Sequence, residues 1–315
     1  MRPTSIAVTA LSKRYGDVVS VDSLTFRCEP GTVTAFLGPN GSGKSTSLRM
    51  IVGLTRPDSG TATFNGRTIR ELDNPGRTVG VLLDAGAHHP GRSVAETLRL
   101  ACILIGMPRT RISECLEFVG LEGVARRRVG TLSLGMRQRL GLAIAVLGEP
   151  ACLLLDEPAN GLDPEGISWL GDFLSEFASA GGTVLLSSHH LDDVDSVADH
   201  LVILDSGRMV HESSRSDDEM RRASTFTANA PEAITAELDR REIRWALDPA
   251  SGRIEAATDP ETIWHMSAES RTPMTSLTSS SPHALRDLFA ASTTAEFQGG
   301  KLDFFPVDKR EEAKK

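Results

Sequence analysis

The chain has 315 residues and a formal net charge of −8, so its length suits one large and one small domain with a sizeable buried core. The acidic balance argues against nucleic acid as the main partner, because nucleic-acid binding depends on basic patches. No apolar run approaches the ~18 residues that span a membrane, and the first residues do not resemble a signal peptide. We therefore expect a cytoplasmic protein whose membrane contact is made through another chain.

A glycine-rich segment lies between a predicted buried strand over residues 32–37 and a predicted helix over residues 47–52. It fits the phosphate-loop pattern, in which two glycines enclose four residues and Lys and Ser follow. Lys44 is expected to reach the β- and γ-phosphates, and the Ser45 hydroxyl to hold Mg²⁺. The alternative is a glycine-rich turn without a ligand. The predicted nucleotide contacts are Gly38, Pro39, Asn40, Gly41, Ser42, Gly43, Lys44, Ser45 and Thr46.

Helical patterns follow over residues 95–105 and 112–119. The preceding loop contains His88 and His89, which lack a Cys or an acidic residue at ligand spacing, so we predict surface residues and no metal site. Ser133 is placed to begin a further helix as its N-cap. The four cysteines lie scattered in apolar surroundings, which predicts buried free thiols. They are Cys28, Cys102, Cys115 and Cys152.

Residues 151–155 form an apolar run that ends in two acids, Asp156 and Glu157. The run predicts a buried parallel strand, and the carboxyl ends of such strands are where open α/β sheets bind ligands. Asp156 is therefore expected to hold Mg²⁺, and Glu157 to orient and activate the attacking water. The alternative is a solvated pair of acids at a strand end.

The segments 38–46, 132–136, 153–158 and 187–189 stand in the order found in the nucleotide-binding subunits of ATP-binding cassette (ABC) transporters, which residues 4–214 resemble. The family's Leu-Ser-Gly-Gly-Gln signature appears here as Leu-Ser-Leu-Gly-Met, which keeps Ser133 and Gly135. The resemblance implies that these two residues face the γ-phosphate of ATP bound to a second copy of the chain. Two chains would then enclose two ATP molecules.

The same resemblance assigns three further residues. Tyr15 corresponds to an aromatic residue that stacks on adenine. His189, which follows the predicted strand over residues 183–188, resembles the histidine that contacts the γ-phosphate, whereas His190 would point the other way on an extended segment. Asp163 lies in the loop that couples the two sites.

One position departs from the family pattern, because Asp84 stands where a glutamine usually contacts Mg²⁺ and the attacking water. A carboxylate that is one methylene shorter reaches the metal only through water or a shifted backbone. We expect Asp84 at the edge of the site. The substitution leaves two roles of Asp84 open: direct contact with the metal, and the usual relay of motion to the transporter.

The remaining sequence predicts a small α+β domain over residues 215–297 and a disordered tail over residues 298–315. Its predicted strands cover residues 223–230, 243–247, 253–257 and 274–278, and its predicted helices cover residues 232–242, 261–267 and 282–290. The role of this domain is not readable from the sequence.

Together these patterns predict an α/β fold: a phosphate-loop NTPase of ABC type with a mostly parallel sheet flanked by helices, an antiparallel N-terminal layer and a helical signature subdomain. The resemblance implies an ATPase that uses ATP and Mg²⁺, dimerises and drives a separate membrane permease at the inner face of the cell membrane, with export favoured. The alternatives are a soluble ABC ATPase of translation or DNA repair and a GTPase or small-molecule kinase. Contacts with the transported compound belong to the permease.

Overall fold

The computed structural model describes residues 3–189, 194, 197–214, 223–228, 231–241, 243–248, 251–270 and 272–279. The strands are β1 (Ile6–Tyr15), β2 (Val18–Cys28), β3 (Val33–Leu37), β4 (Ser59–Phe64), β5 (Val79–Leu82), β6 (Cys152–Asp156), β7 (Thr183–Ser188), β8 (His200–Asp205), β9 (Arg208–Ser214), β10 (Ala223–Ala228), β11 (Trp245–Asp248), β12 (Arg253–Ala257) and β13 (Met274–Ser279). The helices are α1 (Lys44–Ile51), α2 (Val94–Ile105), α3 (Thr110–Phe118), α4 (Leu134–Val146), α5 (Pro164–Ser179), α6 (Glu232–Arg240) and α7 (Pro260–Ser270). Short 3₁₀ turns connect several of these elements.

The central sheet has six strands in the order β5-β6-β7-β3-β8-β9, and only the β8–β9 pairing is antiparallel. Its middle strands β3 and β7 are buried along their whole length, as expected for parallel strands that are covered on both faces. The parallel register pairs Leu37 with Ser188 and Asp156 with Ser187. The strands that precede Gly38, Glu157 and His189 therefore end at the same edge of the sheet.

A second, antiparallel sheet in the order β2-β1-β4 covers the α1 side of the central sheet. Phe26 of β2 stacks on Phe36 of β3 with ring centroids 5.4 Å apart. These rings and Leu48 of α1 belong to one buried cluster that joins the two sheets. A separate apolar cluster lies between the central sheet and the helices α2 to α5.

Helix α2 opens the helical subdomain, α2 to α4, and has a well-formed start. The Ser93 hydroxyl accepts the Glu96 backbone N–H at 3.2 Å, while the Glu96 carboxylate accepts the Ser93 backbone N–H at 2.7 Å. This reciprocal capping box satisfies two backbone donors that the helix itself leaves unpaired. On the outer face of α2, the apolar side chains of Leu100, Ile103 and Leu104 are exposed.

The C-terminal strands and helices follow each other in the order β10-α6-β11-β12-α7-β13. They form an antiparallel sheet in the order β11-β12-β10-β13, which is the arrangement of a split βαβ, ferredoxin-like unit. Phe226 lies at the centre of its own buried cluster. The elements match the predicted α+β pattern, although the second strand begins at Trp245 and not at residue 243. The predicted helix over residues 282–290, the tail and His190 lie outside the described residues.

All four cysteines are buried and form no disulfide. Burial in apolar surroundings raises the pKa of the Cys28 and Cys152 thiols to about 12 and that of Cys115 to about 11. The pKa of Cys102 is also raised by burial. Within the described part of the chain, none of the helices is both long enough and apolar enough to cross a bilayer.

Candidate functional site

The glycine-rich loop leads directly into α1, which begins at Lys44 and therefore three residues before the predicted start. Gly43 has φ 104°, and a Cβ atom built there would lie 2.4 Å from the Ser20 carbonyl oxygen. Only glycine fits this backbone and this close approach. Ser45 and Thr46 thus stand in the first turn of α1, where the backbone N–H groups favour an anion.

A pocket of about 240 Å³ opens beside the loop. Within it, Lys44 is buried, and its amine donates hydrogen bonds to the carbonyl oxygens of Gly38 at 2.5 Å and Pro39 at 3.1 Å. Lys44 Nζ also lies 4.0 Å from Glu157 Oε1. The pocket is lined by Ser20, Asn40, Gly41, Gly43, Lys44, Ser45, Thr46 and Glu157. The loop and the acid at the end of β6 therefore share one cavity, as the sequence predicts.

The acidic pair at the end of β6 is anchored by the neighbouring strand β7. Ser187 Oγ donates to Asp156 Oδ1 at 2.5 Å and accepts the Glu157 backbone N–H at 3.0 Å. The carboxylate of Asp156 and the hydroxyl of Ser45 are hard oxygen ligands of the kind that Mg²⁺ prefers. The donor set at this edge of the sheet thus fits a magnesium ion that accompanies a polyphosphate.

Glu157 and His189 meet through their side chains. His189 Nδ1 lies 2.7 Å from Glu157 Oε2, so one carboxylate faces an imidazole on one side and the Lys44 amine on the other. Glu157 also has φ 49°, in the left-handed region that residues with side chains seldom occupy. The sequence predicted both residues for the site, but their direct contact and this backbone geometry were not predicted.

Tyr15 lies at the end of β1, outside the residues that line the pocket. Its ring is 52% exposed, and Lys13 Nζ lies 5.4 Å from the ring centroid. β2, the strand that follows Tyr15 in the hairpin, is joined to the first turn of α1, because Ser20 Oγ donates to Thr46 Oγ1 at 3.0 Å. Tyr15 is therefore half exposed on a hairpin that is joined to Thr46, a residue that lines the pocket.

Asp84 follows β5 and is exposed at the same edge of the sheet. Its Oδ1 accepts the Gly86 backbone N–H at 2.7 Å, so the described contact of this carboxylate lies within its own loop. His89 in that loop is exposed, as predicted, whereas His88 is half-buried. Burial lowers the pKa of His88, and the nearby Asp84 carboxylate opposes that shift.

The signature residues lie apart from the pocket of their own chain. Ser133 is exposed and caps α4 by accepting the Met136 backbone N–H at 3.2 Å, as predicted. Gly135 has no room for a side chain, since an added Cβ atom would lie 2.5 Å from the Gly161 carbonyl oxygen. Asp163 caps α5 by accepting the Gly166 backbone N–H at 2.9 Å. None of these three residues lines the cavity beside Lys44.

Three polar residues support the site in roles that the sequence does not predict: Ser20, Gln138 and Ser187. Ser187 carries a detectable signal, because it is a hydroxyl at the carboxyl end of an apolar strand. Gln138 lies between Arg137 and Arg139 on α4 and donates from Nε2 to the Glu157 carbonyl oxygen at 2.9 Å. Ser20 has no such signal, since its role comes from the approach of β2 to the first turn of α1.

Comparison with known proteins shows similarity over the part of the chain that holds this site. A family model described as ABC transporter matches residues 21–160. The chain is 40% identical over 205 residues to the Nod factor export ATP-binding protein I of Cupriavidus metallidurans, covering 64% of this chain and 68% of that protein. It is 37% identical over 212 residues to the bacitracin transport ATP-binding protein of Bacillus licheniformis, covering 66% and 69%.

Similarity extends to solved structures. The structure of an ATP-binding subunit of an ABC transporter superposes with a TM-score of 0.62 at 29% sequence identity. The match covers 68% of this chain and 91% of the solved one. It therefore leaves about a third of this chain outside the match.

Proposed function

Because this chain belongs to the family of ABC transporter ATP-binding subunits, we propose that it powers export through a separate membrane permease. The fold class predicted from its sequence is confirmed, and the chain is an ATPase of this family. Export is supported by the names of two relatives, a Nod factor export ATP-binding protein and a bacitracin transport ATP-binding protein. The catalytic assignment rests on two observations: Lys44 and Glu157 line one pocket, and His189 contacts the Glu157 carboxylate.

Nucleotide binding uses the loop and the start of α1. The backbone N–H groups of residues 41–46 hold the phosphates, and the Lys44 amine moves from the carbonyls of its own loop to the β- and γ-phosphate oxygens. Ser45 and Asp156 would hold Mg²⁺. When bound, this ion neutralises charge that develops on the phosphates. Tyr15 stacks on the adenine ring.

Hydrolysis is assigned to Glu157, whose carboxylate orients the attacking water and accepts its proton. His189 holds that carboxylate by its contact at 2.7 Å and presents its other ring nitrogen to the γ-phosphate. Ser187 fixes the Asp156 carboxylate and the Glu157 backbone, since its hydroxyl donates to Asp156 Oδ1 and accepts the Glu157 backbone N–H. The alternative, that Asp156 and Glu157 are merely two solvated acids at a strand end, does not account for these contacts.

A complete site requires two copies of the chain. Ser133 is exposed and lies outside the pocket of its own chain, although its hydroxyl and the α4 N-terminus suit a phosphate. We assign Ser133 and Gly135 to the γ-phosphate bound by the partner chain. Asp163, which is exposed at the start of α5, is assigned to the contact between the two sites.

We assign membrane attachment to the permease. Binding to the permease holds the chain at the inner face of the membrane. The exposed apolar residues Leu100, Ile103 and Leu104 of α2 offer a surface for that contact. A soluble ABC ATPase of translation or DNA repair is less well supported, because the relatives named above are transport and export proteins.

Co-purification tests this proposal. The chain with Glu157→Gln is tagged and expressed in its native host, and the membranes are solubilised in mild detergent with ATP present. We expect a polytopic membrane protein to remain bound, and less of it in a matched sample without ATP. Recovery of ribosomes, nucleic acid or the chain alone would contradict the transporter assignment.

A further inference from the structure

Hydrogen bonds stabilise the Glu157 backbone at both its N–H group and its carbonyl group. Its φ of 49° lies in the left-handed region, which a residue with a side chain occupies only when its surroundings impose it. The Glu157 N–H donates to the backbone oxygen of Ser187 at 3.2 Å and to Ser187 Oγ at 3.0 Å. The Glu157 carbonyl accepts from Gln138 Nε2 at 2.9 Å and from the Asn160 N–H at 3.2 Å. Gln138 is therefore the side chain that fixes the carbonyl end.

Gln138 is a buried polar residue of α4. It is only 4% exposed and stands among the buried apolar residues of α4, including Leu140 and Leu142. A buried amide requires hydrogen-bond partners, whereas an apolar side chain would fill the same space without that requirement. The amide donor to Glu157 is the property that an apolar residue would lack.

The start of α4 touches the segment after Glu157 at two more points. The backbone of Gly135 packs against the Gly161 carbonyl so closely that an added Cβ atom would lie 2.5 Å from its oxygen. Arg139 Nη2 lies 3.4 Å from Asp163 Oδ1. Together with the Gln138 bond, these contacts hold the first two turns of α4 and residues 157–163 as one unit.

We infer that Gln138 is a positioning residue that ties the general base of one nucleotide site to the helix that serves the other. The inference rests on the proposed roles of Glu157 and Ser133. Glu157 acts on the ATP of its own chain, while the N-terminus of α4 faces the ATP of the partner chain. A displacement of α4 on closing around the partner's nucleotide is transmitted through Gln138 to the backbone of Glu157.

The test replaces Gln138 by Met, which has a similar length but no donor. In the full chain, Gln138→Met should lower kcat for ATP hydrolysis about 10- to 100-fold, since a small misplacement of a catalytic group has effects of that size. KM for ATP should stay within about twofold, because the pocket beside Lys44 is untouched. Gln138→Glu, which replaces the donor by an acceptor, should lower kcat further. Ile144→Met, a half-buried residue of the same helix, is the matched control and should leave both constants unchanged.

The readouts separate positioning from packing. A packing role would lower the melting temperature or raise KM without a selective loss of kcat, and wild-type kcat in Gln138→Met would overturn the inference. Glu157→Gln is measured in parallel. Full activity of Glu157→Gln would remove the proposed base itself, whereas an inactive Glu157→Gln beside a fully active Gln138→Met would reject only the role of Gln138.

Discussion

At the scale of single residues, Glu157 is the residue where three parts of the chain meet. Lys44 is the first residue of α1 and His189 follows β7, and both face the Glu157 carboxylate, whereas Gln138 reaches the Glu157 backbone carbonyl from α4. Each contact constrains a different atom of Glu157. A change at this residue therefore separates chemistry from binding more cleanly than a change in the loop does.

Glu157→Gln keeps the size of the side chain and removes its basicity. We expect phosphate release to fall about 10²- to 10⁴-fold, the usual contribution of a general base. ATP affinity should stay within about threefold, and the protein should accumulate as an ATP-bound dimer in sedimentation experiments. Normal turnover in this variant would exclude Glu157 as the base.

Asp84→Gln restores the side chain that the family pattern contains. Because Asp84 already bonds to the Gly86 N–H in its own loop, its substitution should leave ATP hydrolysis measurable and Mg-ATP binding intact. Nucleotide binding and phosphate release with and without Mg²⁺ check this expectation. Loss of Mg-ATP binding would show that Asp84 contributes more to the metal site than its described contact indicates.

At the scale of elements, the start of α2 makes the stability of the helical subdomain depend on pH. Hydrogen bonds from the Ser93 backbone N–H and side chain lower the pKa of Glu96 below its ordinary value of 4.5. A lowered pKa means that the folded state gains stability above the ordinary value. That contribution is lost as the pH falls through the lowered pKa.

Glu96→Gln should therefore lower the melting temperature at pH 7 and have little effect at a pH well below the lowered pKa, where the wild-type carboxyl is also neutral. Thermal unfolding of both proteins across this range tests the expectation. Glu117→Gln on α3 is the control, since this exposed acid caps no helix. An equal effect of Glu96→Gln at both pH values would argue against the charged capping box.

Several elements follow from the sequence because their signals are local. The apolar runs before Gly38 and through Leu155 predict β3 and β6, since strands buried on both faces lack polar alternation. The start of α1 was placed three residues too late, because the helix begins within the glycine-rich loop, where no hydrophobic period marks it. The contact of Gln138 with the Glu157 carbonyl has no local signal, because it joins a side chain to a backbone atom 19 residues away.

At the scale of the whole molecule, the described residues form three buried hydrophobic clusters, two in the ATPase part and one in the βαββαβ unit. Because the cluster of the βαββαβ unit is separate from the other two, we predict two independently stabilised domains. We expect the boundary in the segment after β9, as the sequence indicates.

Phe226→Ala tests this division. Phe226 is fully buried in the C-terminal cluster, so the substitution should cost about 3–5 kcal/mol in the unfolding of that unit. ATP hydrolysis should remain within about twofold of the wild-type rate. Phe64→Ala, which removes a buried ring from the ATPase part, is the matched control and should impair both folding and hydrolysis. A single cooperative transition shifted equally by both variants would contradict two independent domains.

Complementation tests the two-chain site. Ser133→Arg should leave ATP binding intact and block hydrolysis, because it removes only the residue supplied to the partner. Lys44→Ala should block binding in its own pocket but still supply Ser133. A mixture of the two inactive chains should regain turnover, since each mixed dimer contains one intact site. Absence of any recovery in mixed dimers of confirmed composition would argue that each site is complete within one chain.

The burial of all four cysteines has a practical consequence for measuring how the two chains of the dimer move relative to each other. Thiols with strongly raised pKa values hold little reactive thiolate near neutral pH, so maleimide probes should pass over them in the folded protein. A cysteine introduced at the exposed position Leu134 would then be labelled selectively, without first removing the native ones. The unmodified chain thus offers a ready background for measuring the distance between the two α4 helices as the nucleotide is bound and hydrolysed.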